Sequence, residues 1–278
     1  MTIIINFISL LVCFVISVLT MFYDWPDIVP PITFFIAILL IIVENRMYIK
    51  LIYHWVLNTL GKKTIRVSIS YIYRIKVVNK YLLVRNTHNS KYQLVGGKYK
   101  FFSEAKPDLE KLSYSEDNKL GVEGTRKDDI AFFIPVKNLF KFLKWFDSGN
   151  NREIDHFREF HEELLESKKT ATPIISDREL FNVISFRKVK TINTGIRKSP
   201  QESGFNCLEY NQYDILEPIF TLAQEECLKK LAEKGDTTDF KWASGELIST
   251  LGFQAYETEK KYGINEHTKW CIEEKYSK

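Results

Sequence analysis

A chain of 278 residues with 27% charged side chains and a net charge of +4 has room for one soluble domain plus a smaller unit, and its slight basicity is too weak to imply nucleic-acid binding by itself. Four widely spaced cysteines (Cys13, Cys207, Cys227 and Cys271) form no CxxC or Cys/His cluster, which argues against a structural zinc site and for free thiols. The mean hydropathy of -0.18 averages two unlike parts, because in the first 43 residues the only formal charges are Asp24 and Asp27.

Residues 3–23 form an apolar run that as a helix is roughly 31 Å long, the thickness of a bilayer's hydrocarbon core. A second, shorter run covers residues 28–43, with Pro30 and Pro31 placed to start a helix. The short Asp24-Trp25-Pro26-Asp27 turn between them predicts a two-helix transmembrane hairpin. Neither a basic leading segment nor a small-residue cleavage site marks a signal peptide. Arg46, Lys50, Lys62, Lys63 and Arg66 all follow the second run, which predicts a multi-pass protein of the cell membrane with its N-terminus and C-terminal domain cytoplasmic. Asn6, Ser9, Cys13, Ser17 and Thr20 fall on one face of the first run, a surface for packing on the hairpin partner or on another protomer. The expected organisation is two transmembrane helices over 1–47, a juxtamembrane helix or linker over 48–66, and a recognition domain over 67–278.

Beyond residue 66 the pattern turns to strands. Residues 67–78 and 81–85 are rich in β-branched and aromatic side chains, and residues 92–95 lead into Gly96-Gly97. A strand over 130–134 precedes a helix from Pro135 to about residue 146. An amphipathic helix is predicted over 152–168, strands over 180–192 and 205–215, a helix over 216–233, and short helices near 244–251 and after 265. Strands interspersed with helices predict an α/β or α+β sandwich.

Two pieces of this domain carry chemistry. Paired glycines after a strand, in YQLVGGKYK, let backbone turn sharply and approach a ligand. In REFHEEL, Glu159, Glu162, Glu163 and the following Glu166 share one face of a regular helix, and clustered carboxylates suit Mg²⁺. Each piece alone also reads as a plain turn and a solvated acidic helix. Arg85 and Lys98 are cations flanking the Gly-Gly strand, Tyr92, Phe101 and Phe102 are aromatic residues near it, and Arg187, Lys188, Lys190, Arg197 and Lys198 are further cations.

Together these pieces resemble a Nudix domain, whose opening strands end in Gly-Gly and whose box contains Arg-Glu-x-x-Glu-Glu. The resemblance implies that Glu159, Glu162 and Glu163 ligate a metal and that Arg158 orients a carboxylate. The pattern is broken: Arg158 lies 61 residues after Gly97, the earlier box glutamate falls at Asn150, and the closing glycine falls at Leu165. With the apolar N-terminal runs, the chain resembles the transmembrane-Nudix effectors of bacterial cyclic-oligonucleotide antiphage systems (CBASS), which carry a SMODS-associated Nudix-like domain. That likeness implies a sensor whose Arg85, Tyr92, Gly96, Gly97 and Lys98 bind a cyclic oligonucleotide and whose membrane segments form homo-oligomers that disrupt the bilayer, with no cofactor required. The alternatives are a membrane-anchored, Mg²⁺-dependent hydrolase of nucleoside diphosphate derivatives and a receptor for a protein. The missing box residues favour binding over catalysis.

Overall fold

The computed structural model describes residues 38–39, 42–43, 45–87, 89–117, 128–166, 172–200, 206–254 and 259–273. The chain divides into two compact units, Met1–Lys62 and Lys63–Lys278.

In the first unit the structure corrects the predicted membrane hairpin. Among the described residues no helix is long and apolar enough to cross a membrane. Helix α1, Arg46–Leu60, has 15 residues and carries Arg46 and Lys50. At about 1.5 Å per residue it is far short of the roughly 20 apolar residues a span requires. The expected multi-pass placement in the cell membrane is overturned with the hairpin. The apolar run over 3–23, its polar stripe, the acidic turn and most of the run over 28–43 lie outside the described residues.

The second unit is built on two sheets. Strand β1, Thr64–Tyr73, is the spine of the larger one, and Ile65, Val67, Ile69, Tyr71 and Tyr73 are fully buried in it. After β2 (Lys76–Val77), β3 (Lys80–Arg85) and β4 (Tyr92–Leu94), strand β5 (Gly96–Lys98) returns to pair antiparallel with the second half of β1, Tyr71 opposite Gly97. A short helix α2 (Lys106–Lys111) and a two-residue strand β6 (Ser115–Glu116) follow. Strand β7 (Ala131–Pro135) then pairs with the first half of β1, Ser68 opposite Ala131. The long insertion between Gly97 and Arg158 thus supplies two strands of the main sheet, β6 and β7, and helix α3 (Leu139–Ser148), whose Phe142 and Phe146 are buried.

On the other side of β1 lies β10 (Leu208–Ile219), parallel to it, with β8 (Ser185–Asn193) antiparallel at the edge and β9 (Arg197–Lys198) beside β10. The smaller sheet sets β11 (Phe240–Ser244) and β4 on either side of β3, next to β2. These are mixed sheets with helices, in keeping with the expected α/β sandwich of a Nudix-like domain.

Several predicted boundaries move for local reasons. The expected helix over 152–168 shrinks to α4 (Phe157–Phe160), which widens into a π-helical turn over His161–Leu165. The expected helix start at 216 moves to α5 (Leu222–Glu233), because β10 continues to Ile219 and Thr221 closes a capping box with Gln224. Two short helices, α6 (Gly245–Ser249) and α7 (Glu266–Cys271), complete the unit. The hairpin between β2 and β3 turns through Val78 and Asn79, both at positive φ (46° and 62°).

Candidate functional site

The two sheets diverge around a cleft of about 610 Å³ whose floor is β1 and β5 and whose walls are the ends of β3 and β4, the α4 segment and residues of β10 and α7. Arg85, Gly96, Gly97, Lys98, Glu159, Glu162 and Glu163 all line it. Strand register brings the first four together, since Gly96-Gly97 pair with Ile72 and Tyr71 while Arg85 ends β3.

Both glycines are required by close approach. A Cβ on Gly96, which has φ of +154°, would lie 2.3 Å from the Tyr71 carbonyl oxygen. A Cβ on Gly97 would lie 1.9 Å from the Glu159 carboxylate carbon, so the missing side chain is the space the carboxylate occupies.

Arg158 organises the carboxylates. Its Nε and Nη2 donate to the two oxygens of Glu153 at 2.8 and 3.1 Å, its Nη1 donates to Glu159 Oε1 at 2.6 Å, and Nη2 also donates to the Lys98 carbonyl at 2.8 Å. Glu162 lies 3.7 Å from the same guanidinium. Burial opposes the Arg158 charge, but hydrogen bonding to Glu153 and the nearby Glu159 hold its pKa above the ordinary value. Glu153 also accepts from the Tyr71 hydroxyl at 3.2 Å and the Lys100 amide at 3.1 Å. Burial and this carboxylate push the Tyr71 hydroxyl pKa up, so it stays a donor. Glu163, in the π-helical turn, accepts from the Gly96 amide at 3.1 Å, a second tie to β5.

A divalent ion needs carboxylate oxygens that converge on a common point. Among the described residues no group of three or more His, Cys, Asp or Glu is so arranged. Glu159 instead turns to Arg158 and Glu163 to the Gly96 amide, so the residues as placed do not fit the expected Mg²⁺. Glu166 leaves the set altogether. The π-helical turn rotates it away from the regular helical face, and it lies 3.4 Å from Arg178.

Other expected site residues go elsewhere. Tyr92 sits in the core, its ring edge-on to Tyr262 and its hydroxyl donating to the Thr238 carbonyl at 2.8 Å. Strand alternation sends Tyr92 inward and its neighbour Gln93 to the cleft. Phe101 and Phe102 line a separate depression with Lys100 and Glu104. Arg187 pairs with Glu217, Lys188 with Asp214 and Arg197 with Glu209, while Lys190 donates to the Ile272 carbonyl. Lys198, on β9, is exposed.

The cleft also holds residues that sequence reasoning missed. Arg66, Ser68 and Ser70 come from β1, Asn211 and Tyr213 from β10, and His267 from α7. Alternation along β1 already hinted at the serines, which share one face with Arg66 while Ile65, Val67, Ile69 and Tyr71 share the other. His267 stacks on Tyr213 with a centroid separation of 5.8 Å, and burial lowers its pKa to about 4. Asp129 faces Lys100 at 3.0 Å, and burial raises its pKa against the pull of Lys100 and Lys98.

No curated protein matches the chain. The model of the SMODS-associated NUDIX domain family matches residues 64–272, from the first residue of β1 to the residue that follows α7. The match takes in both sheets, the Gly-Gly strand and the Arg158 cluster, so the chain belongs to the SMODS-associated NUDIX domain family.

Proposed function

We propose that the cleft is the receptor site for a cyclic oligonucleotide second messenger, in a chain that acts as an effector of a CBASS antiphage system. The observation that carries this reading is the use to which the box residues are put. Arg158 and Glu163 tie α4 and its π-helical turn to β5 and Arg158 holds Glu159 against Gly97, while Arg85 and Lys98 line the cleft beside them as cations for phosphate. The carboxylates act as scaffold and the cations as contacts, which is a binding arrangement. The SMODS association of the family supports the same reading. A ligand that prefers an assembled state drives self-association through its differential affinity alone, and that is the proposed output.

The test is to incubate the full chain with Mg²⁺, a panel of cyclic di- and trinucleotides, and linear nucleoside diphosphates, and to identify by mass spectrometry what is retained and what is cleaved. A cyclic oligonucleotide retained intact, with binding weakened in Arg85→Ala and Lys98→Ala, is the expected result. Cleavage of a linear diphosphate that is lost in Glu162→Gln would replace this reading with a hydrolase.

A further inference from the structure

Beyond phosphate recognition, the cleft has a built-in polarity for reading a base. Gln93 is half-buried on β4 opposite Val84, and both residues line the cleft. Its Oε1 accepts from Asn86 Nδ2 at 2.9 Å and from Asn265 Nδ2 at 2.7 Å. Both lone pairs of that oxygen are therefore used. Its Nε2 hydrogens have no protein acceptor among the described residues.

The orientation of this amide is dictated from a backbone group. The Lys91 N–H donates to Asn89 Oδ1 at 3.1 Å, and a backbone N–H can only donate. Asn89 must then offer its Nδ2, which donates to Asn265 Oδ1 at 2.8 Å. Asn265 in turn must offer Nδ2 to Gln93, which turns the Gln93 oxygen toward Asn265 and leaves the NH₂ group over. A free glutamine reads adenine by accepting from N6 and donating to N7. Here the accepting half is already occupied, so only donation remains.

The geometry points to Gln93 as a specificity-determining residue that admits a base with an acceptor edge, such as guanine O6/N7 or uracil O4, and rejects the N6 amino edge of adenine. Asn265, which does not line the cleft, is the positioning residue that sets this polarity. The inference rests on the cleft being the cyclic oligonucleotide site proposed above.

Isothermal titration calorimetry of the full chain with cyclic dinucleotides carrying two guanines, two uracils or two adenines tests it. The expected result is that the guanine or the uracil ligand outbinds the adenine ligand by about tenfold, in line with one good base contact. The two arms show which carbonyl edge is used. Gln93→Glu keeps Oε1 for its two amide donors but presents an acceptor to the ligand, and it should abolish or reverse the preference. Asn265→Asp turns an oxygen toward Gln93 and should move the ratio in the same direction from outside the cleft. A merely structural role for either residue would weaken all ligands equally and leave the ratio unchanged. Equal or tighter binding of the adenine ligand by the unmodified chain, or a ratio unmoved by both variants, overturns base reading while leaving the receptor site intact. Binding of none of the three, nor of any member of the wider panel of cyclic di- and trinucleotides, overturns the receptor site and this inference with it.

Discussion

Gly97 is the most direct probe of how the cleft is built. A Cβ there would sit 1.9 Å from Glu159 Cδ and 2.1 and 2.4 Å from its oxygens. Ordinary carbon contacts begin near 3.5 Å, so the carboxylate must retreat by about 1.5 Å. It has little room to do so, since the side chain is 9% exposed and its Oε1 is held by Arg158 at 2.6 Å. Losing a charge-assisted hydrogen bond costs about 1.5–3 kcal/mol, and an off-rotamer side chain adds about 1 kcal/mol. Gly97→Ala is therefore expected to destabilise the chain by about 2–4 kcal/mol. Glu159→Ala removes the same bond and leaves Arg158 its two contacts with Glu153. In the double variant the clash is gone, so the two effects should fall short of additivity by about 2 kcal/mol. Chemical denaturation of the four proteins, at matched slopes of stability against denaturant, gives the coupling. Additivity within about 0.5 kcal/mol would refute the idea that Gly97 exists to seat the Glu159 carboxylate.

Gly96→Ala meets backbone rather than a side chain, at 2.3 Å from the Tyr71 oxygen, and no rotamer relieves that contact. It should cost more than Gly97→Ala, about 4 kcal/mol or more, read as loss of the folded transition or of soluble expression. Val78 lies at a φ of 46° with its side chain 73% exposed, so Val78→Gly should gain about 1 kcal/mol and raise Tm. A fall in Tm would show that the valine contributes packing. For His267 the folded pKa of about 4 lies below the ordinary value near 6.5, so the unfolded chain binds the extra proton between those limits. Stability should be fully present above about pH 6.5 and fall as the pH drops toward about 4, by at most about 3 kcal/mol. His267→Phe, which keeps a ring against Tyr213, should flatten that part of the stability-against-pH curve measured by thermal denaturation. An unchanged slope would assign the acid loss to other groups.

Local pattern was enough to read much of the domain. The alternating β-branched run that became β1, the strand that leads into Gly-Gly, the strand before the helix at Pro135 and the order of Gly-Gly ahead of Arg-Glu-x-x-Glu-Glu are all visible because each depends on residues close in the chain. The broken Nudix pattern also grouped Arg85, Gly97, Lys98 and Glu159, and these four line one cleft. The apolar N-terminal runs predicted a membrane hairpin, whereas among the described residues no helix is long and apolar enough to cross a membrane.

What lay outside local pattern was decided by register and by contacts across the sheet. A strand turns successive side chains to opposite faces, so only the pairing of β4 with β3 sends Tyr92 to the core and Gln93 to the cleft. A regular helix would have kept Glu166 beside Glu162, but the π-helical turn over His161–Leu165 breaks that period and gives Glu166 to Arg178. Arg66, Asn211 and His267 reach the cleft from segments as far apart as β1 and α7, and the chain of amides from Asn89 through Asn265 to Gln93 spans 176 positions. The residue types were determined by the sequence alone. Which carboxylate meets the Gly96 amide, which face of β4 meets the cleft and which end of the Gln93 amide points outward were decided by the fold, because each depends on a partner that only the tertiary structure brings within hydrogen-bonding distance.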